Sequence, residues 1–251
     1  MIVAWLAWGA WAAEPGGSFP AGDIRTVWVR TAGGPVRIDA VPTATEVTAQ
    51  VTRDNWGDGC RAEVTAEGGT LRVLVEKPTG KIGFSCTAEV VVTTPPSVAL
   101  DVVVPAGDLY IGGIQGGGSL EVGLGDIRLA GASGPLSVRG SVGDLVGSYL
   151  GPDLRVHWDS GQVRLTGLVG TVGAEVGAGK LELGWDKAPE GHFDLAVSAG
   201  SMTLAFPAAA PIDLDLDVKV GRLRNELDAA LDAPTHVHAR VGAGSIKVTG
   251  R

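Results

Sequence analysis

The sequence predicts an all-β protein, a parallel β-solenoid preceded by a β-rich N-terminal region. Three observations point to this fold class: 39 glycines in 251 residues, many short runs rich in valine and threonine, and a nine-residue repeat in the second half of the chain. Because no Gly-X-Y period accompanies the glycines, collagen is excluded and a β-protein with many turns is favoured.

The first part of the fold, residues 24–104, is a succession of short predicted strands. Runs such as TVWVRT and TLRVLVEK alternate between apolar and polar residues, and Gly, Pro or Asp-Asn turns separate them. No run has the i, i+3, i+4 apolar spacing of a helix. We expect this region to form either the first irregular coils of the solenoid or a small separate β-layer.

The second part, residues 105–251, carries the repeat that predicts the solenoid. A glycine, or a proline in its place, recurs at positions 125, 134, 143, 152, 161, 170 and 179, and the residue two places further on is always Ile, Leu or Val. Residues two apart in a strand point to the same side, so each unit reads as one strand with an inward aliphatic face and a corner. A Gly-Asp-aliphatic sequence returns at 107, 125 and 143, which indicates two units and about 18 residues per coil.

The N-terminus reads as an export signal. Residues 1–13, MIVAWLAWGAWAA, are an apolar run that ends in small residues and is too short to span a bilayer, which is typical of a secretory signal peptide. Residues 14–23 then form a linker. Since the sequence has no second long apolar stretch, we expect no integral membrane segment and a location in the periplasm or on the cell surface of a bacterium.

The two cysteines, Cys60 and Cys86, support the same location. In an oxidising compartment a disulfide between them is the expected state, and it would close a loop of about 26 residues, worth roughly 3 to 4 kcal/mol. Two buried free thiols are the alternative. The formal net charge is −8 and the basic residues are scattered, so nucleic acid is not an expected partner.

The aspartates of the Gly-Asp turns, Asp108, Asp126 and Asp144, are the first candidate site. Stacked about 4.8 Å apart, three carboxylates would repel one another by on the order of 1 kcal/mol per neighbouring pair in water. The simplest interpretation is that each aspartate caps its own turn by accepting backbone N–H bonds. The alternative is a bound cation such as calcium, although the G-G-x-G-x-D pattern of calcium-binding rolls is missing.

Two aromatic residues at one corner of the repeat are the second candidate site. Tyr149 and Trp185 occupy the same repeat position two coils apart, with Gly167 between them, so they could form a stacking slot for a sugar or a peptide. The alternative is that both rings fill a corner of the core. His236 and His238 project from one side of a strand, but two ligands are too few for a metal site. We expect no catalytic residues and no cofactor.

The run TPPSVALDVVVPAGDLYIGGI at 94–114, together with the glycine and aliphatic series that follows it, resembles the adhesin-like family of exported bacterial β-solenoid proteins. The resemblance covers residues 24–251. It implies a right-handed single-chain β-helix at the cell envelope with a role in adhesion, and it supplies no catalytic residues.

The sequence therefore predicts an exported, non-enzymatic envelope or surface binding protein that recognises a surface glycan or an envelope protein through one face of its strands. Two other functions stay open: a periplasmic envelope-stress sensor or assembly partner that binds another protein, and a carbohydrate-active β-helix enzyme. Charged residues on the last strands, Arg240, Lys247 and Arg251, would protect the end of the solenoid from self-association. We therefore expect a monomer.

Overall fold

A computed structural model of the protein describes residues 15–78, 86–228, 230 and 233–251. In these ranges the chain forms seventeen β-strands, one short 3-10 helix at Ala21–Asp23 and no α-helix. The strands are β1 Gly16–Pro20, β2 Thr26–Arg30, β3 Val36–Ala40, β4 Glu46–Trp56, β5 Arg61–Glu67, β6 Thr70–Glu76, β7 Cys86–Thr94, β8 Ala99–Ala106, β9 Leu109–Gly112, β10 Gly118–Leu124, β11 Ile127–Ala132, β12 Leu136–Tyr149, β13 Asp153–Leu168, β14 Thr171–Trp185, β15 Gly191–Phe206, β16 Asp213–Asn225 and β17 Thr235–Gly250. The prediction of an all-β protein is confirmed for the described residues.

The first eleven strands form two arms of one sheet. One arm runs from β10 through β8, β2 and β6 to β5, and the other runs from β11 through β9, β3, β7 and β4 to β1. β12 pairs with β10 along its first half and with β11 along its second half, so it joins the two arms. The end strands β1 and β5 contact each other without pairing, which leaves this part of the sheet nearly closed.

The sheet continues from β12 through long parallel strands that span both halves of the body. β12 pairs with β13, β13 with β14, and β14 with β15. The next neighbour of β15 is β17, and β16 lies beyond β17 at the end of the sheet. Arg240 and Lys247 lie on β17, which has a paired strand on each side, so these charges do not protect a sheet edge as the sequence led us to expect.

The prediction of a parallel β-solenoid is wrong. All seventeen strands belong to one sheet of mixed order, in which β2 lies between β6 and β8, and β3 lies between β7 and β9. Three pairs, β1 with β4, β4 with β7 and β5 with β6, are antiparallel. The repeat specifies how a strand aligns with a parallel neighbour, but it does not specify which strand that neighbour is.

The core follows the alternation within the strands. The aliphatic residues at the third position of the repeat are all buried: Ile127, Leu136, Leu145, Leu154, Val163, Val172 and Leu181. They belong to a single cluster of buried residues that runs from Ile24 to Val248. The two predicted regions, 24–104 and 105–251, therefore share one core as well as one sheet, and strand β8 crosses the boundary between them.

The sequence predicts a signal peptide and a linker before the β-rich region, and the structure describes only the second of these two segments. The predicted signal peptide, residues 1–13, lies outside the described residues. Residues 16–23, which we assigned to a linker, form β1 and the 3-10 helix instead. Strand β1 pairs with β4, which makes it part of the sheet. Within the described residues, no helix has the length and apolar character needed to cross a membrane.

Candidate functional site

All four histidines of the chain lie on one outer surface of the sheet, which we call the histidine face. His157 projects from β13, His192 from β15, and His236 and His238 from β17. They share a face because parallel pairing places outward residues of neighbouring strands side by side, with His192 next to His236. The two rings are 5.4 Å apart between their centroids.

An open groove of about 810 Å³ crosses the histidine face. Its floor is made by small residues, Thr171, Gly173 and Ala196. A Cβ atom added to Gly173 would have no heavy atom within 4 Å, so the floor is low here because this position has no side chain. Charged side chains and one histidine surround this floor, namely Asp153, Arg155, Glu175, His192, Asp194 and Arg240.

Three acidic side chains of the histidine face each lie beside a basic side chain. An amino group of Arg155 is 3.6 Å from a carboxylate oxygen of Asp153. Nδ1 of His157 is 3.3 Å from a carboxylate oxygen of Glu175, and its Nε2 is 3.5 Å from one of Asp159. These groups are largely exposed, so each pair contributes less than about 1 kcal/mol to stability. These pairs therefore add little to the stability of the fold, and they leave hydrogen-bond donors and acceptors exposed on the histidine face.

His236 and His238 each lie beside an aspartate of the neighbouring strand β16. Nδ1 of His236 is 2.9 Å from Asp213, and Nδ1 of His238 is 2.7 Å from Asp215. Each of these aspartates of β16 therefore has an imidazole partner. No group of three or more His, Cys, Asp or Glu in the described part of the chain is arranged to hold a metal ion.

The three aspartates of the Gly-Asp turns form a ladder along one edge of the body. Oδ1 of Asp108 accepts the backbone N–H of Asp126 at 3.0 Å, and Oδ1 of Asp126 accepts that of Asp144 at 2.9 Å. Asp144 continues the ladder by accepting the N–H of Gln162 at 2.9 Å. Each carboxylate therefore caps the turn eighteen residues further on rather than its own turn, which accounts for the stacking without a cation.

The prediction of an exposed stacking slot at Tyr149 and Trp185 is wrong, because both side chains are fully buried. The hydroxyl of Tyr149 lies 2.8 Å from the carbonyl oxygen of Gly134 and 2.5 Å from that of Asp153. Burial raises the pKa of Tyr149 to about 12. The Trp185 ring stacks on Phe206 with 4.5 Å between centroids, so these rings fill the core, as in the alternative interpretation.

A shared spacing explains why aromatic residues occur at this corner. The polar atoms of Tyr149, Trp158 and Trp185 each donate to a carbonyl oxygen fifteen residues earlier, at distances of 2.8, 2.9 and 3.3 Å. A buried hydroxyl or indole N–H needs such a partner, and the corner of the preceding strand supplies a free carbonyl. The prediction of a stacking slot rests on the ring faces alone and takes no account of the hydroxyl and indole N–H donors.

The predicted disulfide between Cys60 and Cys86 is confirmed, with 5.7 Å between the Cα atoms. It ties the turn before β5 to the first residue of β7. The groove, in contrast, was missed by sequence reasoning. Its outward residues occupy ordinary positions of the repeat, and the pairing of Ala174 with Leu195 shows that the offset grows from eighteen to twenty-one residues at β15. That shift brings His192 and Asp194 beside Gly173, and a strict period would have placed other residues there.

Fold and site together define an all-β protein with a polar groove on an outer sheet surface. No protein-family model matches the chain, and no curated protein matches it. Among solved structures it is similar to a candidate cell adhesion protein from Clostridium sporogenes, at 8% identity and a TM-score of 0.31 over 95% of this chain and 100% of that one.

Two further structures also match most of the chain. One is a candidate adhesin from Bacteroides fragilis, at 12% identity and a TM-score of 0.42 over 94% of this chain and 97% of that one. The other is a candidate lipid binding protein from Parabacteroides distasonis, at 17% identity and a TM-score of 0.33 over 94% and 96%. Likenesses at this level assign no function to the chain.

Proposed function

We propose that the protein is an exported, non-enzymatic binding protein of the bacterial cell envelope or cell surface, and that it recognises a surface glycan through the groove of the histidine face. The observation that carries the proposal is the groove itself, with a floor that lacks a side chain at Gly173 and a rim of acidic and basic groups. The disulfide supports export, because such bonds persist in oxidising compartments.

The chemistry of the rim favours a glycan over a protein partner. Carboxylate and guanidinium groups, such as those of Asp194 and Arg155, present two acceptors or two donors in one plane, and neighbouring sugar hydroxyls match that geometry. Protein interfaces instead centre on apolar and aromatic anchors that enter pockets. None of the residues that line this groove is aromatic apart from the imidazole of His192.

The hydroxyl in the groove is not arranged as a nucleophile. Thr171 carries the single hydroxyl among the lining residues, and its Oγ1 donates to the carbonyl oxygen of Pro152 at 2.9 Å. The hydroxyl proton is therefore not directed to His192, which a nucleophile activated by a neighbouring base requires.

The proposal is tested by a substitution that fills the groove with a larger side chain. Gly173→Leu places a side chain on the open floor, where its Cβ atom meets no heavy atom within 4 Å, and glycan-array and cell-binding signals are expected to fall at least about ten-fold, equivalent to 1.4 kcal/mol. Ala130→Leu is the matched control: it enlarges an exposed side chain on β11, which pairs with the second half of β12 and so belongs to another surface. Its binding should equal that of the wild type.

Three results would contradict this proposal. Equal glycan binding by wild type and Gly173→Leu would remove the groove from recognition. Capture of one stoichiometric envelope protein without any glycan signal would replace the glycan by a protein partner. Turnover of a bound glycan, lost in Gly173→Leu, would contradict the non-enzymatic role.

A further inference from the structure

Strand β16 ends the sheet with an open edge. β17 pairs with one side of β16 from Asp213 to Asn225, and no other described strand pairs with its second side. Its inward residues are incompletely covered: Leu214 and Leu216 are only partly buried, and Leu223 is 48% exposed. A strand with free N–H and C=O groups beside uncovered apolar side chains is a template for pairing with another chain.

The outward side chains of β16 are mainly acidic before a corner of the chain and basic after it. Asp213, Asp215 and Asp217 precede the corner, Arg222 and Arg224 follow it, and Lys219 is a basic residue beside the corner itself. The corner lies at Gly221, whose φ of +144° is the conformation found at the other glycine corners of the stack. A strand with this pattern complements its own reversed copy.

We propose that β16 pairs antiparallel with β16 of a second copy of this chain, about a two-fold axis that passes between Lys219 and Val220. In this register Asp215 lies opposite Arg224 of the other copy, and Asp217 lies opposite Arg222. Each pair occurs twice by symmetry. On the inward side, Leu216 lies opposite Leu223, so the uncovered ends of the two cores join.

Three requirements fix this register. Outward residues meet outward residues, inward residues meet inward residues, and the two corners lie close to the axis, with Gly221 of each copy opposite Val218 of the other. A shift by one residue would place Leu216 opposite a charged outward side chain. A shift by two residues would restore the alternation, but in one direction it would place the corner at Gly221 opposite Leu216 on a straight part of the strand, and in the other direction it would place Lys219 opposite Arg222. The contact is the same on both copies, so it closes at a dimer.

The first test exchanges the charges. In one variant Asp215→Arg is combined with Asp217→Arg, and in the other Arg222→Asp is combined with Arg224→Asp. Each variant alone places like charges opposite each other in all four of the proposed pairs, so its dimer dissociation constant should rise at least about ten-fold. An equimolar mixture of the two restores every opposite-charge pair and should form a heterodimer, measured by analytical ultracentrifugation. The wild type should be a dimer at micromolar concentration that weakens as salt is added.

The second test uses crosslinking at the axis and does not depend on charge. Val220→Cys places a thiol beside its symmetry mate, so mild oxidation should give a covalent dimer. Val142→Cys is the matched control, because Val142 is an exposed valine, 52% accessible, on the paired strand β12. It should remain monomeric under denaturing electrophoresis.

The proposal is overturned if the wild type sediments as a monomer at all concentrations, or if the mixed variants remain monomeric while both keep the wild-type circular dichroism spectrum. Oligomers larger than two copies would indicate head-to-tail stacking, which also contradicts a two-fold contact. Glycan binding through the groove is measured separately, so either proposal can fail without the other.

Discussion

The parallel stack from β12 onward and the mixed arms before it hold one core together by different means. In the stack, long strands repeat one backbone path, and successive corners approach so closely that only glycine fits. In the arms, shorter strands combine parallel and antiparallel pairs, and a disulfide joins the turn before β5 to β7. The comparison indicates that the stack depends on backbone shape, whereas the arms depend on a covalent link.

Gly179 illustrates the dependence of the stack on glycine. Its φ is +142°, and a Cβ atom added there would lie 1.8 Å from the carbonyl oxygen of Gly161. The oxygen belongs to the backbone of the adjacent strand and cannot rotate away. Any side chain at this corner must therefore separate two strands that are hydrogen-bonded along most of their length.

The largest expected effect is that of Gly179→Ala. Strain at positive φ and overpacking against Gly161 should together lower the free energy of unfolding by about 4 kcal/mol. Gly173→Ala in the same strand is the matched control, since its Cβ meets nothing within 4 Å, and the change should stay within about 1 kcal/mol. Guanidinium denaturation measures both, and equal losses in the two variants would show that the corner does not limit the stack.

Removal of the disulfide should come next in size and should act on the arms. Cys60→Ser combined with Cys86→Ser is expected to lower the free energy of unfolding by about 3 kcal/mol, because the unfolded chain regains the freedom of the closed loop. Hydrogen exchange should show lost protection in β4 to β7 before any loss in β12 to β15.

The control for the disulfide is chemical. A reductant should destabilise the wild type to the level of the double variant and leave that variant unchanged. If protection fell equally in the arms and in the stack, the two regions would unfold as one unit. The disulfide would then stabilise the whole sheet and not the arms in particular.

The sequence allowed prediction of those features that depend on neighbouring residues. The buried aliphatic positions, such as Ile127 and Val163, follow from alternation within a strand, and the pairing of Cys60 with Cys86 follows from their being the only two cysteines. Strand order could not be predicted, because the insertion of β2 between β6 and β8 joins residues far apart in the chain, and a local period does not report such contacts.

The candidate site was less predictable than the fold. Tyr149 and Trp185 occupy the repeat positions we identified, but whether a corner residue turns inward depends on a free carbonyl fifteen residues earlier. The groove depends on the absence of a side chain at Gly173 and on the longer offset at β15. Neither is visible in the sequence until the pairing of strands is known.

The smallest expected effect is that of a substitution at Glu182, which lies on β14 and forms ion pairs with two basic residues. Its carboxylate contacts Lys180 and lies 2.5 Å from Nε of Arg164. Burial opposes ionisation of Glu182, but the hydrogen bonds and charges of Lys180 and Arg164 outweigh it and hold its pKa below the ordinary value.

Because the pKa of Glu182 is lower in the folded state, its stabilisation is fully present above the ordinary glutamate pKa and is lost as pH falls through the folded value. Glu182→Gln should lower the free energy of unfolding by about 1 kcal/mol at neutral pH, since the group is only partly exposed, and by progressively less in acid. Thermal unfolding of wild type and variant between about pH 3 and 7 measures the difference, with Glu121→Gln, an exposed carboxylate on β10, as the control. A difference between wild type and Glu182→Gln that stays constant across this range would assign the loss to packing instead of charge, and the stack would then depend on backbone shape alone.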